Sequence, residues 1–223
     1  KVQAGVAKAL TEKFEQGLPV VSISADLQGS TGVAPFRKKF PEASFEVGVA
    51  ESSMVNMAVG MSKQGYIPVV DTFAQFGVTK GSLPLIMSGL SQGPLIGMFS
   101  HTGFQDAADG ASHQALSYVS MVSSIPYVDV YCLTCSEEAY ALVSQTVEEF
   151  HKTGQAGKTP RSTIFFLGRE NFPQYFAKDA KYKLGTAQVV SDQIDGSDKS
   201  VAIAVAGSLL PYALTAQKTL KEK

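Results

Sequence analysis

A carboxylate set between an apolar strand and an apolar helix is placed to hold or share a proton. Glu51 occupies such a position in Phe45-Glu46-Val47-Gly48-Val49-Ala50-Glu51-Ser52-Ser53-Met54. Two readings stand for it. It is either a first-turn acid that complements the helix dipole, or a buried carboxyl that shares a proton with a ligand nitrogen. The stretch Thr72-Phe73-Ala74-Gln75-Phe76 then brings two aromatics three residues apart. Alone, such rings are core residues. Beside Glu51 they can clamp a flat heteroaromatic ring whose edge nitrogen meets the acid.

Three other patterns carry less. Gly89-Leu90-Ser91-Gln92-Gly93 matches G-x-S-x-G, but a nucleophile elbow needs a strand before the serine and a helix after it. Here a helical pattern precedes and Pro94 opens a strand, so the run reads as a helix-to-strand turn. Cys132-Leu133-Thr134-Cys135 has the spacing of a redox pair. It lacks the two further ligands a metal site needs, and reads as structural. His151 beside Lys152 fits a helix C-terminus, where a cation complements the dipole.

The elements that must position these groups follow from hydrophobic periodicity. Val20–Ala25, Ser44–Val49, Ile67–Asp71, Pro94–Ser100, Tyr127–Cys132 and Ser162–Leu167 read as strands. Pro35–Phe40, Ser52–Gln64, about Ala74 to Gly89, and Ser136 to about His151 read as helices. Strands alternating with helices, and apolar at nearly every position, predict an α/β fold. Its sheet is doubly wound and mostly parallel, with helices on both faces. Such sheets bind ligands outside the carboxyl ends of their strands. Asp26–Ser30, His101–His113 and Arg169–Asn171 all fall there, and that convergence is the main clue to an active site. The first unit spans residues 1–185 and a polar linker covers 186–200, including Ser191–Ser200. From 201 to 223, Val201–Ala206 and the helical Leu209–Lys223 start a second α/β unit that stays incomplete.

The chain has 223 residues, with 19 basic against 20 acidic side chains, 44% hydrophobic residues and 17% charged. That profile excludes disordered, collagenous and coiled-coil chains. A formal charge of -1 argues against a global attraction to nucleic acid or anionic membrane. No apolar run reaches the roughly 18 residues of a membrane span, and two cysteines do not make a secreted disulfide framework. The compartment reads as cytoplasmic. Lys1 opens the chain and Lys223 closes it inside a helical pattern, so the sequence reads as part of a larger protein.

Taken together, the ordered stretches resemble the pyrimidine-binding domain of transketolases. They are Asp26-Leu27-Gln28-Gly29-Ser30, FEVGVAESSMVNMAVGM, DTFAQF, SHTGFQDAADGASHQAL and LGRENFP. The likeness covers about Val20 to Pro173, and the tail from Lys199 is similar to the opening of the family's C-terminal domain. It implies an enzyme that moves a two-carbon ketol unit between sugar phosphates with thiamine diphosphate. Glu51 then hydrogen-bonds the aminopyrimidine nitrogen, favouring the imino form that takes the thiazolium proton, and Phe73 and Phe76 line the ring pocket. His101, Asp109 and His113 hold the sugar hydroxyls, with His113 also catalytic. Ser30 and Arg169 anchor phosphate, since a guanidinium suits it through bidentate bonds, and Asp26 joins the substrate site.

The sequence departs from the family at particular positions. The family's Gly-Glu-Asp-Gly-Pro run is Ala107-Ala108-Asp109-Gly110-Ala111, a pocket tyrosine is Thr79, and a second phosphate arginine is replaced near Gln3. The Gly-Asp-Gly…Asn motif that holds magnesium (Mg2+, or Ca2+) and the diphosphate is not in this chain. The resemblance therefore implies a homodimer, or a complementary diphosphate-binding domain or subunit. Two alternatives remain: a deoxyxylulose-phosphate synthase or 2-oxo acid dehydrogenase β-type domain, and a non-catalytic assembly or regulatory remnant.

Overall fold

The runs VVSIS, IPVVDTF, IGMFS and STIFFL are buried at every position in the computed structural model, which describes residues 1–191 and 201–221. Strands buried on both faces must lie inside a sheet covered on both sides. Six parallel strands build it: β1 (Val20–Ser24), β2 (Ser44–Glu46), β3 (Ile67–Phe73), β4 (Ile96–Ser100), β5 (Val128–Cys132) and β6 (Ser162–Leu167). Their spatial order is β2-β1-β3-β4-β6-β5, and every pairing is parallel. The expected α/β parallel architecture is the one observed.

Alternation along each strand feeds two apolar layers. Phe165 and Leu167 enter one layer, while Ile164 and Phe166 enter the other. The first layer is closed by α1 (Val2–Glu15), α3 (Ala34–Lys39) and α8 (Ser136–Gln155). The second is closed by α4 (Glu51–Lys63), α5 (Ala74–Thr79), α6 (Ser82–Ser91) and α7 (Tyr118–Ser123). Helices α1 and α8 touch at Gly5, where a Cβ would lie 2.0 Å from the Ser136 carbonyl oxygen. No larger residue fits that crossing.

From β1 the chain steps outward to β2, then returns to place β3 on the opposite side of β1. The winding direction reverses between β1 and β3. A crevice opens at the carboxyl ends of strands on either side of such a switch.

Several elements differ from expectation. Helix α1 lies where no element was assigned, although Val2, Val6, Ala9 and Leu10 bury one face of it. The short α2 (Gln28–Thr31) and α7 also lie in segments read without structure. The single helix expected over about 74–89 is two, broken at Lys80-Gly81. There Gly81 sits so close to Gly77 that a Cβ would lie 2.3 Å from the Gly77 carbonyl oxygen. Residues 201–206 are exposed and form no strand. Helix α9 (Leu210–Lys221) follows. The linker read over 186–200 falls outside the described residues from 192 onward. The G-x-S-x-G run is a turn from α6 into β4, with Gln92 left-handed at φ 53°. No helix among the described residues is long and apolar enough to cross a membrane.

Candidate active site

Glu51 is both a first-turn residue and a buried carboxyl. It is the first residue of α4, and its side chain is only 1% exposed. Neither carboxylate oxygen has a hydrogen-bond partner among the described residues. The nearest cation is Lys80, whose Nζ lies 3.7 Å from Oε2, beyond hydrogen-bond length. A buried carboxylate left this way costs several kcal/mol. Each such group in a folded protein calls for a specific explanation.

An aromatic cluster lies on the far side of Lys80. Phe73 ends β3 and Phe76 lies on α5, with ring centroids 6.2 Å apart and planes 27° from parallel. The His101 ring is 4.1 Å from Phe73, and His113 stands edge-on to Phe76 at 4.9 Å and to Phe73 at 5.9 Å. Lys80 Nζ sits 5.3 Å from the Phe76 centroid, so contacts run unbroken from Glu51 to His101.

His101 leaves β4 in the left-handed region at φ 61°, a conformation that non-glycine residues rarely adopt. That turn holds its ring beside Phe73, where Ser100 Oγ lies 2.9 Å from Nδ1. Burial holds the imidazole below its ordinary pKa; Arg169 and Lys1 push the same way, against Asp106 and Asp109. The ring is therefore neutral at pH 7. His113 Nδ1 is 3.0 Å from Ser112 Oγ.

A second, more polar cluster forms where β1 and β6 end. Gln3 Nε2 donates to the Gly168 carbonyl at 3.0 Å and to the Ser30 carbonyl at 3.4 Å. One amide on α1 thus ties the backbone at Ser30 to the backbone just before Arg169, the two positions expected to anchor phosphate. Arg169 donates its backbone N–H to Gln105 Oε1 at 2.7 Å and extends its guanidinium toward Glu170. Asp26, at φ 62°, and Asp109 lie exposed at the rim. The Asp26 N–H donates to Glu46 Oε1 at 2.8 Å.

Two buried acids escaped the sequence reading. Asp71 in β3 is fully buried, and its Oδ2 accepts the Ser24 and Thr31 hydroxyls, each at 2.9 Å. Burial pushes its carboxyl up to about 7, against those hydroxyls and Arg37. Asp106 is also fully buried, and its Oδ2 is without a partner among the described residues. The signal for Asp71 was present, since an acid inside IPVVDTF must find partners within the fold. The cysteines behave structurally. Cys135 Sγ accepts the Glu138 N–H at 3.4 Å at the start of α8, and burial pushes the Cys132 thiol up to about 11, far from a reactive thiolate.

Residues 1–173 match the family model described as transketolase, pyrimidine binding domain. The chain is 29% identical over 224 residues to a putative transketolase C-terminal section of Methanocaldococcus jannaschii, covering 99% of this chain and 66% of that protein. It is 25% identical over 213 residues to the 1-deoxy-D-xylulose-5-phosphate synthase of Clostridium acetobutylicum, covering 96% of this chain and 32% of that one. A solved split-gene transketolase, described as an inactive β4 tetramer, superposes with a TM-score of 0.80 at 27% identity. That likeness covers 99% of this chain and 67% of the other. The chain therefore spans about two thirds of the shorter relative and a third of the longer one. With matching sequence over residues 1–173 and a matching parallel sheet, this chain belongs to the transketolase pyrimidine-binding-domain family.

Proposed function

We propose that this chain is the pyrimidine-binding part of a transketolase-type transferase that uses thiamine diphosphate and acts on sugar phosphates. The observation that carries the reading is Glu51, buried with both oxygens unpartnered and linked through Lys80 to the Phe76 ring, which lies beside Phe73. That donor set fits an aminopyrimidine, a flat ring with a basic edge nitrogen. Bound there, thiamine diphosphate supplies an electron sink for cleaving a ketose carbon–carbon bond.

The chain's own groups divide the remaining work. Glu51 holds a proton at the ring nitrogen, and Phe73 and Phe76 fix the ring plane and exclude water from it. His101, neutral at pH 7, and His113 present hydrogen-bonding edges beside those rings, with Asp109 at the rim orienting sugar hydroxyls. We also assign His113 to catalysis, because its ring touches both cofactor aromatics. Ser30 and Arg169 take the phosphate, and Asp26 closes the same mouth.

Among the described residues no group of three or more His, Cys, Asp or Glu gathers that could hold a metal ion. In this reading the diphosphate and its Mg2+ belong to a second domain or subunit. The outer face of α6 supports a partner, since Leu83, Met87 and Leu90 are all more than half exposed, an apolar ridge that lone surfaces seldom carry. Native mass spectrometry of the protein from its own source tests the assignment. A complex larger than 23.7 kDa that carries thiamine diphosphate is expected. A lone chain without cofactor overturns it in favour of a non-catalytic module.

A deoxyxylulose-phosphate synthase is the second reading, favoured by the likeness to the clostridial enzyme over 96% of this chain. Consumption of a 2-oxo acid in place of a ketose phosphate donor would select it.

A further inference from the structure

The break between α5 and α6 places a lysine where a ring-binding pocket has no need of one. Lys80 and Gly81 both donate their backbone N–H groups to the Phe76 carbonyl, at 2.9 and 3.3 Å. Ser52 Oγ, one residue beyond Glu51, donates to the Lys80 carbonyl at 2.6 Å. The Lys80 backbone is thereby anchored to the first turn of α4, and its side chain has a short reach to two targets. Its Nζ lies 3.7 Å from Glu51 Oε2 and 5.3 Å from the Phe76 centroid, spanning the space between the acid and the ring.

The two partners differ in freedom. Glu51 is fixed and 1% exposed, whereas the Lys80 side chain is 55% exposed. At 3.7 Å the ammonium balances the carboxylate charge but leaves its acceptors without hydrogen bonds. A ligand nitrogen that reaches Glu51 at hydrogen-bond distance makes the better contact, and it must enter where the ammonium lies. The half-exposed lysine can leave, because water solvates it outside.

We propose that Lys80 is a displaceable counter-ion for Glu51, occupying the mouth of the ring pocket until an aminopyrimidine evicts it. This deepens the cofactor reading above and rests on it. Lys80 then acts as a gate on affinity: each binding event must break its pairing with Glu51. Removing the ammonium should tighten ring binding, and only while Glu51 is present.

The test uses the full chain as wild type, K80M, E51Q and the double variant. Thermal unfolding without ligand reads the pairing, and NMR titration with thiamine reads the ring pocket. K80M should lower the unfolding midpoint in the wild-type background and leave it unchanged beside E51Q. It should lower the thiamine Kd by roughly two- to fivefold, the range of a partly exposed ion pair, and have no effect on Kd beside E51Q. An unchanged or raised Kd in K80M overturns displacement, since the lysine would then be neutral or helping to hold the ring. An equal thermal loss in both backgrounds overturns the pairing itself. Thiamine bound by neither wild type nor K80M, with thermal coupling intact, removes the ring reading of the pocket and displacement with it. The coupling separates that failure from a failure of the ion pair.

Discussion

Two carboxyls lie buried near the switch between β1 and β3, and the fold treats them in opposite ways. Asp71 is built into the floor: the Ser24 hydroxyl from β1 and the Thr31 hydroxyl from α2 both donate to it. Glu51, at the start of α4, receives no hydrogen bond from any described residue. The same chain gives one buried acid two hydroxyl donors on Oδ2, leaving only its Oδ1 without a partner, and leaves both oxygens of the other without one among the described residues. In the proposed reading, the contrast separates a carboxyl that holds structure from one that meets a ligand.

The largest structural effect should follow from removing the floor. Asp71→Ala leaves two buried hydroxyls without their acceptor and opens a small void. It should cost about 2–4 kcal/mol of stability in urea unfolding. Glu51→Gln removes a buried charge that lacks hydrogen bonds together with its pairing to half-exposed Lys80, two opposed effects that should leave stability within about 1 kcal/mol of wild type. A large loss in Glu51→Gln would erase the distinction.

Arg169→Ala sharpens the division between ring pocket and phosphate mouth. Loss of a charge-assisted contact of about 1.5–3 kcal/mol should raise KM for phosphorylated sugars by roughly ten- to a hundredfold. Ring binding should stay intact. An unchanged KM would remove its assigned role.

The smaller effect is a slope with pH. The Asp71 carboxyl titrates near 7 in the fold against 3.8 as a free side chain, so the folded state binds the extra proton between those values. Its contribution to stability is complete below about pH 4 and is lost as pH rises through 7. His101, pushed the other way, contributes stability above its ordinary pKa that is lost as pH falls. The difference between wild type and Asp71→Asn isolates the aspartate. Its urea midpoint should fall less than wild type between pH 5 and pH 8, and parallel slopes would place the titration elsewhere.

Much of the frame was legible because buried strands leave little choice. VVSIS, IGMFS and STIFFL can only be interior strands, and the three polar clusters follow their carboxyl ends. The proximity of Phe73 and Phe76, 6.2 Å between ring centroids, follows from their spacing of three residues. What escaped depended on distance along the chain or on shape. Gln3 meets the Gly168 carbonyl across 165 residues, a contact no local pattern encodes. Lys80 reaches Glu51 because Gly81 allows a break inside an otherwise continuous helical pattern. Helix α1 was missed although its Val2, Val6, Ala9, Leu10 stripe has the 3.6-residue period. Residues 201–206 read as the opening of a new α/β unit because VAIAVA has strand composition, but a strand needs a neighbour to pair with.

The most direct measurement compares turnover of Glu51→Gln and Asp71→Asn in the complete thiamine diphosphate-loaded enzyme, with a ketose phosphate donor and an aldose phosphate acceptor. Glu51→Gln should lose roughly 10²–10⁴ in kcat, the range for a positioned proton-transfer group, while Asp71→Asn stays within a few-fold of wild type. Turnover kept by Glu51→Gln, or lost equally in both, would contradict the assignment of Glu51 as the carboxyl reserved for the ring.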